Sequence, residues 1–316
     1  MADIKDDFGI IITCSENDYL FAKGTCASIR TFMPDVKICL LIDGDFDLGN
    51  LPKIFDTKVI KKKDVKDEFL KKNSFGWGLT KMIAFWESPF EKFLLIDADT
   101  VVYGDVRKFA DFERYDLILD MPQSEYSIND ISQFYFNVDK IGTYYPDFNY
   151  RYQPFVCTGV IFAKRNVLDL DEYKRFFEIK SVDEEFYKCG EQGFLNICFF
   201  RAKDNNKVKI GNFNFQFLIP DYSKEDAISK FPIPIVKPEN PMVIHWAGKD
   251  KPLISNDDLQ YVEPMTYFRR AYLILDGVSN KSIQDKILIT EDLARRRNVS
   301  ANIFKRVFRK IITKLG

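Results

Sequence analysis

The sequence predicts an α/β domain built on a mostly parallel sheet. Strand-like and helix-like segments alternate along its first half, an order that is typical of parallel strands joined by helices. Hydrophobic residues make up 46% of the 316 residues, which is enough to bury a sizeable core. No apolar run approaches the roughly 18–20 residues that a membrane-spanning helix needs.

Each element carries its own signal in the sequence. Residues 8–14 form a short β-branched run that predicts a strand, and residues 19–31 have the apolar spacing of a helix. Residues 36–42 predict the next strand, and residues 79–86 predict a helix. The remaining predicted strands are the apolar runs at residues 93–96, 115–119 and 156–163.

Residues 120–154 interrupt this alternation with a long polar segment that is rich in tyrosine and phenylalanine. A long insertion with little periodicity inside a compact domain often forms a lid or a binding loop. The same pattern is also typical of a small packed core beneath a loop. The sequence leaves both interpretations open.

The chain is close to neutral, with a net charge of −1, so a generally basic nucleic-acid-binding protein is not expected. The charge is nevertheless unevenly distributed. Residues 295–316 contain eight basic and no acidic residues, so this segment carries +8 and the rest of the chain −9.

Six cysteines occur, and none forms a Cys-x-x-Cys pair. Most lie in apolar runs, which indicates buried free thiols in a reducing cytosol rather than disulfides or a zinc site. The acidic first residues lack the apolar core of a signal peptide. We therefore expect a cytoplasmic protein.

The strand predicted at residues 93–96 runs directly into Asp97, Ala98 and Asp99. Acids at the end of a buried strand lie at the carboxyl edge of the sheet, where α/β proteins bind ligands. Residues i and i+2 of an extended chain point to the same side, so Asp97 and Asp99 could offer oxygens to one divalent cation. Such a cation would stabilise a departing diphosphate. An Asp-x-Asp motif alone is weak evidence for a metal site, because many such motifs lie in solvated turns.

His245, the only histidine, follows a second short apolar run at residues 242–244. A mixed oxygen and nitrogen shell is chemically reasonable for Mn²⁺. Gly248 permits close backbone approach, and Lys251 could place a charge on a phosphate. A lone histidine at a strand end is usually structural, but the glycine and lysine that follow it favour a binding role.

Together these segments resemble a retaining glycosyltransferase of family 8, the family of glycogenin and the bacterial lipooligosaccharide galactosyltransferases. Residues 96–100 are similar to the family's metal motif, and residues 245–252 to its His-x-x-Gly-x-x-Lys-Pro segment. Residues 191–196 resemble its Asp-Gln-x-x-Leu-Asn helix. The other matching segments are residues 12–24, 79–82 and 157–162, which resemble the opening strand and loop, the helix with the donor-contacting lysine, and the Asn-Ser-Gly-Val strand.

The resemblance implies a nucleotide-sugar-binding fold of the GT-A type, with a mixed, mostly parallel central sheet followed by C-terminal helices, and a UDP-sugar donor. It implies that Asp97, Asp99 and His245 hold Mn²⁺ (or Mg²⁺), which would bridge the diphosphate, while Gly248 and Lys251 contact the phosphates. Further donor contacts implied by the resemblance are Cys14, Ser15, Asn17, Tyr19, Lys81, Asp97, Ala98, Asp99 and Thr158.

The resemblance also places Gln192 and Glu191 near the anomeric carbon, as the candidate catalytic residues. Three positions depart from the family pattern: Glu191 replaces an aspartate, Cys157 replaces an asparagine that helps hold the donor sugar, and Lys188 replaces a second acid. These departures do not affect the three candidate metal ligands, but they leave the identity of the donor sugar undetermined.

Retention of anomeric configuration requires either a double displacement or a same-face reaction through an oxocarbenium-like state. Gln192 is a poor nucleophile, and Glu191 is a better one chemically. We favour the same-face route, in which a metal and a lysine stabilise the departing UDP and its phosphate oxygen takes the acceptor's proton.

The expected acceptor is a glycan or glycolipid, and self-glucosylation on a tyrosine is the less favoured alternative. A nucleotidyltransferase would also use paired acids and a metal, but residues 13–19 lack the glycine-rich basic loop expected of one. A non-catalytic nucleotide-sugar or glycan-binding module is the third alternative. It would tolerate the loss of Asp97 or His245, yet both are present.

The sequence divides into a catalytic domain at residues 1–255, a helical extension at 256–294 and a basic amphipathic helix at 295–316, with 120–154 as an acceptor-side insertion. The last helix combines apolar positions at four-residue spacing with a cationic face, which is typical of a helix on an anionic membrane surface. Docking on the acidic body of the protein is the alternative. The membrane interpretation predicts peripheral attachment at the inner membrane face.

Overall fold

The computed structural model describes residues 7–76, 78–122, 125–219, 221–222, 226, 229–232, 238–249, 251–254 and 263–315. Side chains are described as far as residue 301. The predicted domain boundary at residue 255 and the apolar and basic side chains of the tail from residue 302 onward therefore lie outside the described residues.

Short, mostly continuous runs of buried apolar residues form most strands of two sheets, as expected where both faces of a sheet are covered. In chain order the strands are β1 (Phe8–Ser15), β2 (Lys37–Asp43), β3 (Thr57–Ile60), β4 (Lys92–Asp97), β5 (Thr100–Tyr103), β6 (Leu117–Asp120), β7 (Val160–Lys164), β8 (Ile210–Phe213), β9 (Gln216–Ile219) and β10 (Met242–Trp246).

The larger sheet has seven strands in the order β3-β2-β1-β4-β7-β6-β8. Its first four strands are mutually parallel, β7 runs antiparallel to both of its neighbours, and β6 and β8 are again parallel. The smaller sheet has the order β5-β10-β9. The sheet is therefore mixed and mostly parallel, as predicted.

Helices cover both faces of the larger sheet. They are α1 (Tyr19–Phe32), α2 (Leu51–Ile54), α3 (Glu68–Asn73), α4 (Ala84–Glu87), α5 (Ile128–Phe134), α6 (Ile141–Tyr144), α7 (Leu170–Val182), α8 (Gln192–Asp204), α9 (Glu263–Leu275) and α10 (Lys281–Leu315). Two buried clusters result, because successive side chains of a strand point to opposite faces. Ile10 and Ile12 of β1 belong to one cluster and Ile11 to the other.

The helix predicted at residues 79–86 is only partly correct. Residues Leu79–Ile83 form a tight 3₁₀ turn, and regular α-helix is confined to α4. The segment starts after Gly78, whose φ is +80°, and ends at Ser88, which precedes Pro89 and is extended.

The insertion at residues 120–154 contributes mainly to the core. Among its described aromatic residues, Tyr135, Phe136, Tyr145 and Phe148 are buried in the second cluster. Tyr152 is 84% exposed, which makes it the most solvent-accessible large apolar side chain of this segment. The packed-core interpretation therefore describes most of this segment.

All six cysteines are free thiols, and four of them are buried. Cys189 departs from the prediction because it is exposed, in a turn before α8 where its φ is +49°. Cys157 is partly exposed.

The C-terminal helices α9 and α10 pack beside α1. Arg269 of α9 is buried and pairs with Glu291 and Asp292 of α10 at 2.8 and 2.9 Å. Helix α10 is continuous, so the predicted boundary between residues 294 and 295 falls inside one helix. Within the described part of the chain, no helix combines the length and apolar character needed to span a membrane.

Candidate functional site

A cleft of about 490 Å³ opens at the carboxyl ends of β1, β2 and β4. These strands are parallel, so their last residues meet at one edge of the sheet. Ser15 ends β1, Asp43 ends β2 and Asp97 ends β4. The predicted site residues that line the cleft are Cys14, Ser15, Asn17, Lys81, Asp97, Ala98, Asp99, Glu191 and Lys251.

Asp97 and Asp99 line this cleft, and the buried His245 lies beside them. The potential ligand atoms of these three residues all lie within 4.8 Å of one another. His245 Nε2 is 3.5 Å from an oxygen of Asp99 and 3.9 Å from an oxygen of Asp97. β10 brings the histidine there by pairing with β5, which places His245 opposite Thr100.

The backbone near Asp97, Asp99 and His245 leaves room for the imidazole and is held by hydrogen bonds. A Cβ on Gly159 would lie 2.1 Å from the His245 ring, so glycine leaves the space that the imidazole occupies. The amide of Asp97 donates to the carbonyl of Gly159 at 2.9 Å, and the amide of Trp246 donates to the carbonyl of Asp99 at 3.1 Å. Backbone bonds therefore fix the positions of all three candidate ligands.

Two carboxylates and one imidazole form a donor set that suits a divalent cation such as Mn²⁺. Burial raises the pKa of Asp99, but Lys251 and His245 outweigh it and hold that pKa well below its usual range. Burial lowers the pKa of His245, whereas Cys157 and Asp99 raise it, to about 10 overall. A bound cation would therefore compete with a proton for this imidazole.

Two lysines flank the cluster. Lys251 donates to a carboxylate oxygen of Asp99 and to the carbonyl of Trp246, the latter at 2.8 Å. Lys81 is buried and pairs with Asp97 and Glu191, both at 2.9 Å. Burial lowers the pKa of Lys81, but these two carboxylates raise it above its ordinary value, so Lys81 remains a cation.

Glu191 is buried, and its Oε1 accepts from Lys81 and from the hydroxyl of Thr158, at 2.9 and 3.1 Å. A Cβ on Gly78 would lie 2.1 Å from the other carboxylate oxygen of Glu191. Thr158 thus lies behind the cleft wall, where it supports Glu191.

Five predicted residues do not line the cleft: Thr158, His245, Tyr19, Gln192 and Gly248. The hydroxyl of Tyr19 donates to the carbonyl of Leu48, and the side-chain amide of Gln192 donates to the carbonyl of Phe134 at 3.2 Å. Gly248 has a φ of +70° in the loop after β10, in open space. The side chains of Tyr19 and Gln192 therefore bond to backbone carbonyls outside the cleft.

Sequence reasoning missed five lining residues: Thr13, Asp18, Asp43, Gly78 and Thr80. Asp43 carries the signal that identified Asp97, an acid at the end of an apolar strand. Thr80 is buried, and its hydroxyl has no hydrogen-bond partner among the residues that the structure describes. A ligand in the cleft could satisfy that hydroxyl.

Solved structures with the same fold are glycosyltransferases. The galactosyltransferase LgtC, crystallised with donor and acceptor sugar analogues, matches with a TM-score of 0.53 at 13% identity over 83% of this chain and 95% of LgtC. GlyE of Streptococcus pneumoniae TIGR4 matches with 0.56 at 14% identity, over 84% of this chain and 62% of GlyE. The bifunctional glycosyltransferase WbbM matches with 0.53 at 12% identity, over 88% of this chain and 53% of WbbM.

No protein-family model matches the sequence, and no curated protein matches it significantly. At these identities the structural likeness concerns the fold alone. The mixed seven-stranded sheet, its covering helices and these matches together show that the chain has the α/β fold of GT-A glycosyltransferases.

Proposed function

We propose that this protein is a retaining glycosyltransferase of the family 8 type, which moves a hexose from a UDP-sugar to a glycan or glycolipid with the help of Mn²⁺ (or Mg²⁺). The observation that carries the proposal is the convergence of Asp97, Asp99 and His245 with two lysines at one cleft. A cluster of this composition at the carboxyl edge of the sheet suits a diphosphate and its counter-ion.

The donor would lie with its diphosphate beside Asp99 and Lys251. When bound, the metal would supply Lewis-acid stabilisation of the leaving diphosphate. Lys251 holds its ammonium group within reach of the same phosphates through its bond to Trp246. Ser15 and Asn17, in the turn after β1, line the end of the cleft that we assign to the uridine.

The environment of Glu191 favours the same-face route. Its carboxylate is neutralised by Lys81 and bonded by Thr158, so its electrons are poorly available for attack on the sugar. Lys81 and Glu191 instead form a fixed charged wall, which would orient the donor sugar. In this route the acceptor's proton passes to a phosphate oxygen of the departing UDP, and the rate arises mainly from positioning and charge stabilisation.

The acceptor is proposed to be a glycan or glycolipid at an anionic membrane surface. This part of the proposal rests on the sequence of residues 295–316 and on the helical backbone of α10, which continues to Leu315. It assigns the enzyme a peripheral position on the inner face of the membrane.

Ligand-dependent thermal unfolding tests the donor assignment. UDP with Mn²⁺ is expected to raise the melting temperature of the wild type, whereas UDP alone, or ATP or CTP with Mg²⁺, is expected to raise it much less. Asp99→Asn should abolish the UDP-Mn²⁺ shift, while the matched control Asp139→Asn, at an exposed position, should preserve it. Melting of both variants without ligand controls for folding.

A panel of UDP-sugars, scored for hydrolysis in the presence of Mn²⁺, then identifies the sugar. Stabilisation by CTP or ATP with Mg²⁺ instead would favour a nucleotidyltransferase. Binding of UDP-Mn²⁺ without turnover of any UDP-sugar, with or without acceptor, would favour a binding module.

A further inference from the structure

Arg295 of the C-terminal helix contacts the wall of the cleft. Its guanidinium lies 3.0 Å from Oδ1 of Asp18, a residue that lines the cleft. The Arg295 side chain is only 13% exposed, and its guanidinium lies over the ring of Phe21, 5.2 Å from the ring centroid. Arg295 is therefore packed against the body of the protein, although it belongs to the basic segment.

Asp18 connects this arginine to the rest of the cleft wall. While Oδ1 faces Arg295, Oδ2 accepts a hydrogen bond from the hydroxyl of Ser15 at 3.1 Å. The 3₁₀ turn Glu16–Asp18 lies between β1 and α1, and Asp18 makes no side-chain cap bond to α1. The conformation of this turn therefore depends on contacts with other side chains, of which Arg295 supplies a charged one.

Helix α10 is well placed to hold this turn because its preceding residues are anchored. Glu291 pairs with Lys23 of α1 at 2.5 Å and with Arg269 of α9 at 2.8 Å. Asp292 is fully buried and also pairs with Arg269. Arg295 lies one helical turn beyond this network, on the same side of the helix.

We propose that Arg295 is a positioning residue for donor binding, which holds Asp18 and thereby the turn at residues 15–18 in the shape that receives the nucleotide. This inference rests on the proposed function, since it takes the cleft to be the nucleotide site. Arg295, although part of the basic segment, would thus act on the cleft wall through Asp18.

Calorimetric titration of UDP in the presence of Mn²⁺, on the full chain, tests the proposal. Arg295→Ala is expected to weaken UDP binding on the order of fivefold, the lower end of typical coupling between sites. Arg297→Ala removes the same charge from the same helix at an exposed position and is expected to leave the affinity unchanged. Arg295→Lys should recover part of the loss, because it retains a cation that can reach Asp18.

A double-mutant cycle with Asp18 separates positioning from a general loss of stability. If Arg295 acts through Asp18, Arg295→Ala should have no further effect on UDP affinity in the Asp18→Ala background. An equal loss in both backgrounds, or an equal loss in Arg297→Ala, would overturn the proposal. Steady-state kinetics should show the change in the KM for the donor rather than in kcat.

Amide hydrogen exchange without ligand gives a readout that does not depend on nucleotide binding. Exchange at residues 15–18 should become faster in Arg295→Ala and stay at the wild-type rate in Arg297→Ala. If the wild type fails to bind UDP, the proposed function fails, and hydrogen exchange still decides whether Arg295 holds the turn. Unchanged exchange in Arg295→Ala would count against the positioning role.

Discussion

Asp120 shows how strongly burial acts on a single ionisable residue of this protein. It ends β6, is 7% exposed, and accepts hydrogen bonds from the backbone amides of Phe215 and Gln216, both at 2.9 Å. Burial raises its pKa to about 7, against the lowering effect of these bonds, and Asp221 adds to the rise. The folded protein therefore holds this carboxyl group partly protonated near neutral pH.

The stability of the Asp120→Asn variant relative to wild type is predicted to increase as the pH rises. An unfolded aspartate ionises near pH 3.9, so between about pH 4 and 7 the unfolded chain loses this proton first and wild-type stability falls. Asparagine stays neutral and keeps an oxygen for the two amides. The melting temperature of the variant relative to wild type should therefore rise between pH 4.5 and pH 8, on the order of 2–4 °C. Asp139→Asn, at an exposed position, is the control, and an Asp120→Asn difference independent of pH would contradict the prediction.

The sequence predicted that Asp97 and Asp99 lie at the carboxyl edge of the sheet, because they follow a buried apolar strand. His245 was grouped with them from the apolar run before it, the glycine and lysine after it and the family resemblance, none of which specifies how its strand pairs. Tyr19 and Gln192 each start a helix, and a sequence does not specify which way a side chain points there. The sequence did not identify Thr80 as a cleft residue, because its position there depends on the 3₁₀ turn that contains it.

At the scale of elements, the turn before Leu79 positions the charged wall of the cleft. Gly76 and Gly78 both have positive φ, at +84° and +80°. A Cβ on Gly76 would meet no atom within 4 Å, whereas one on Gly78 would overlap the carboxylate of Glu191. The two glycines therefore have similar backbone conformations, but only at Gly78 would a side chain collide with Glu191.

Gly76→Ala and Gly78→Ala are both predicted to destabilise the protein by about 1 kcal/mol, because alanine is strained at positive φ. In Gly78→Ala the buried carboxylate of Glu191 must also shift, which disturbs its pairing with Lys81 and should add to the loss of stability. Turnover of the donor should therefore fall more in Gly78→Ala than in Gly76→Ala, as measured by UDP release alongside melting temperatures. Equal activities would show that the position of Glu191 is unimportant.

The sequence predicted most strands of the larger sheet to within a few residues, but not their directions. Strand β7 runs antiparallel to its neighbours, yet its apolar run looks like that of the parallel strands. A strand that is buried on both faces shows no alternation of polar and apolar residues, so its sequence does not indicate its direction. The smaller sheet was not predicted either. β5 and β10 are separated by more than a hundred residues, and only their pairing brings His245 to the acids.

At the scale of the whole molecule, one continuous helix carries both Arg295 and the basic residues nearer its C-terminus. Arg295 contacts the cleft wall, so deletion of residues 295–316 would alter the donor site as well as the tail. Deletion of residues 302–316 removes five basic residues, which are Lys305, Arg306, Arg309, Lys310 and Lys314, and leaves Arg295 in place. The shorter deletion is therefore the clean test of membrane attachment.

Deletion of residues 302–316 is predicted to weaken binding to vesicles that contain phosphatidylglycerol by at least about a hundredfold, since each basic residue contributes about 1 kcal/mol at an anionic surface. UDP binding should be unchanged. Vesicle co-sedimentation provides the measurement, and neutral phosphatidylcholine vesicles provide the control. Equal sedimentation of the full and shortened chains with anionic vesicles would favour the alternative that the tail docks on the protein body.

The solitary imidazole of these 316 residues makes the site unusually easy to observe. Because His245 sits between the two candidate ligand acids, every histidine side-chain signal in a proton NMR spectrum of the chain reports on that one location, with no assignment required. Its resonances would move on titration with a diamagnetic ion such as Mg²⁺ and broaden with paramagnetic Mn²⁺. Occupancy can thus be followed directly, before any sugar substrate is known.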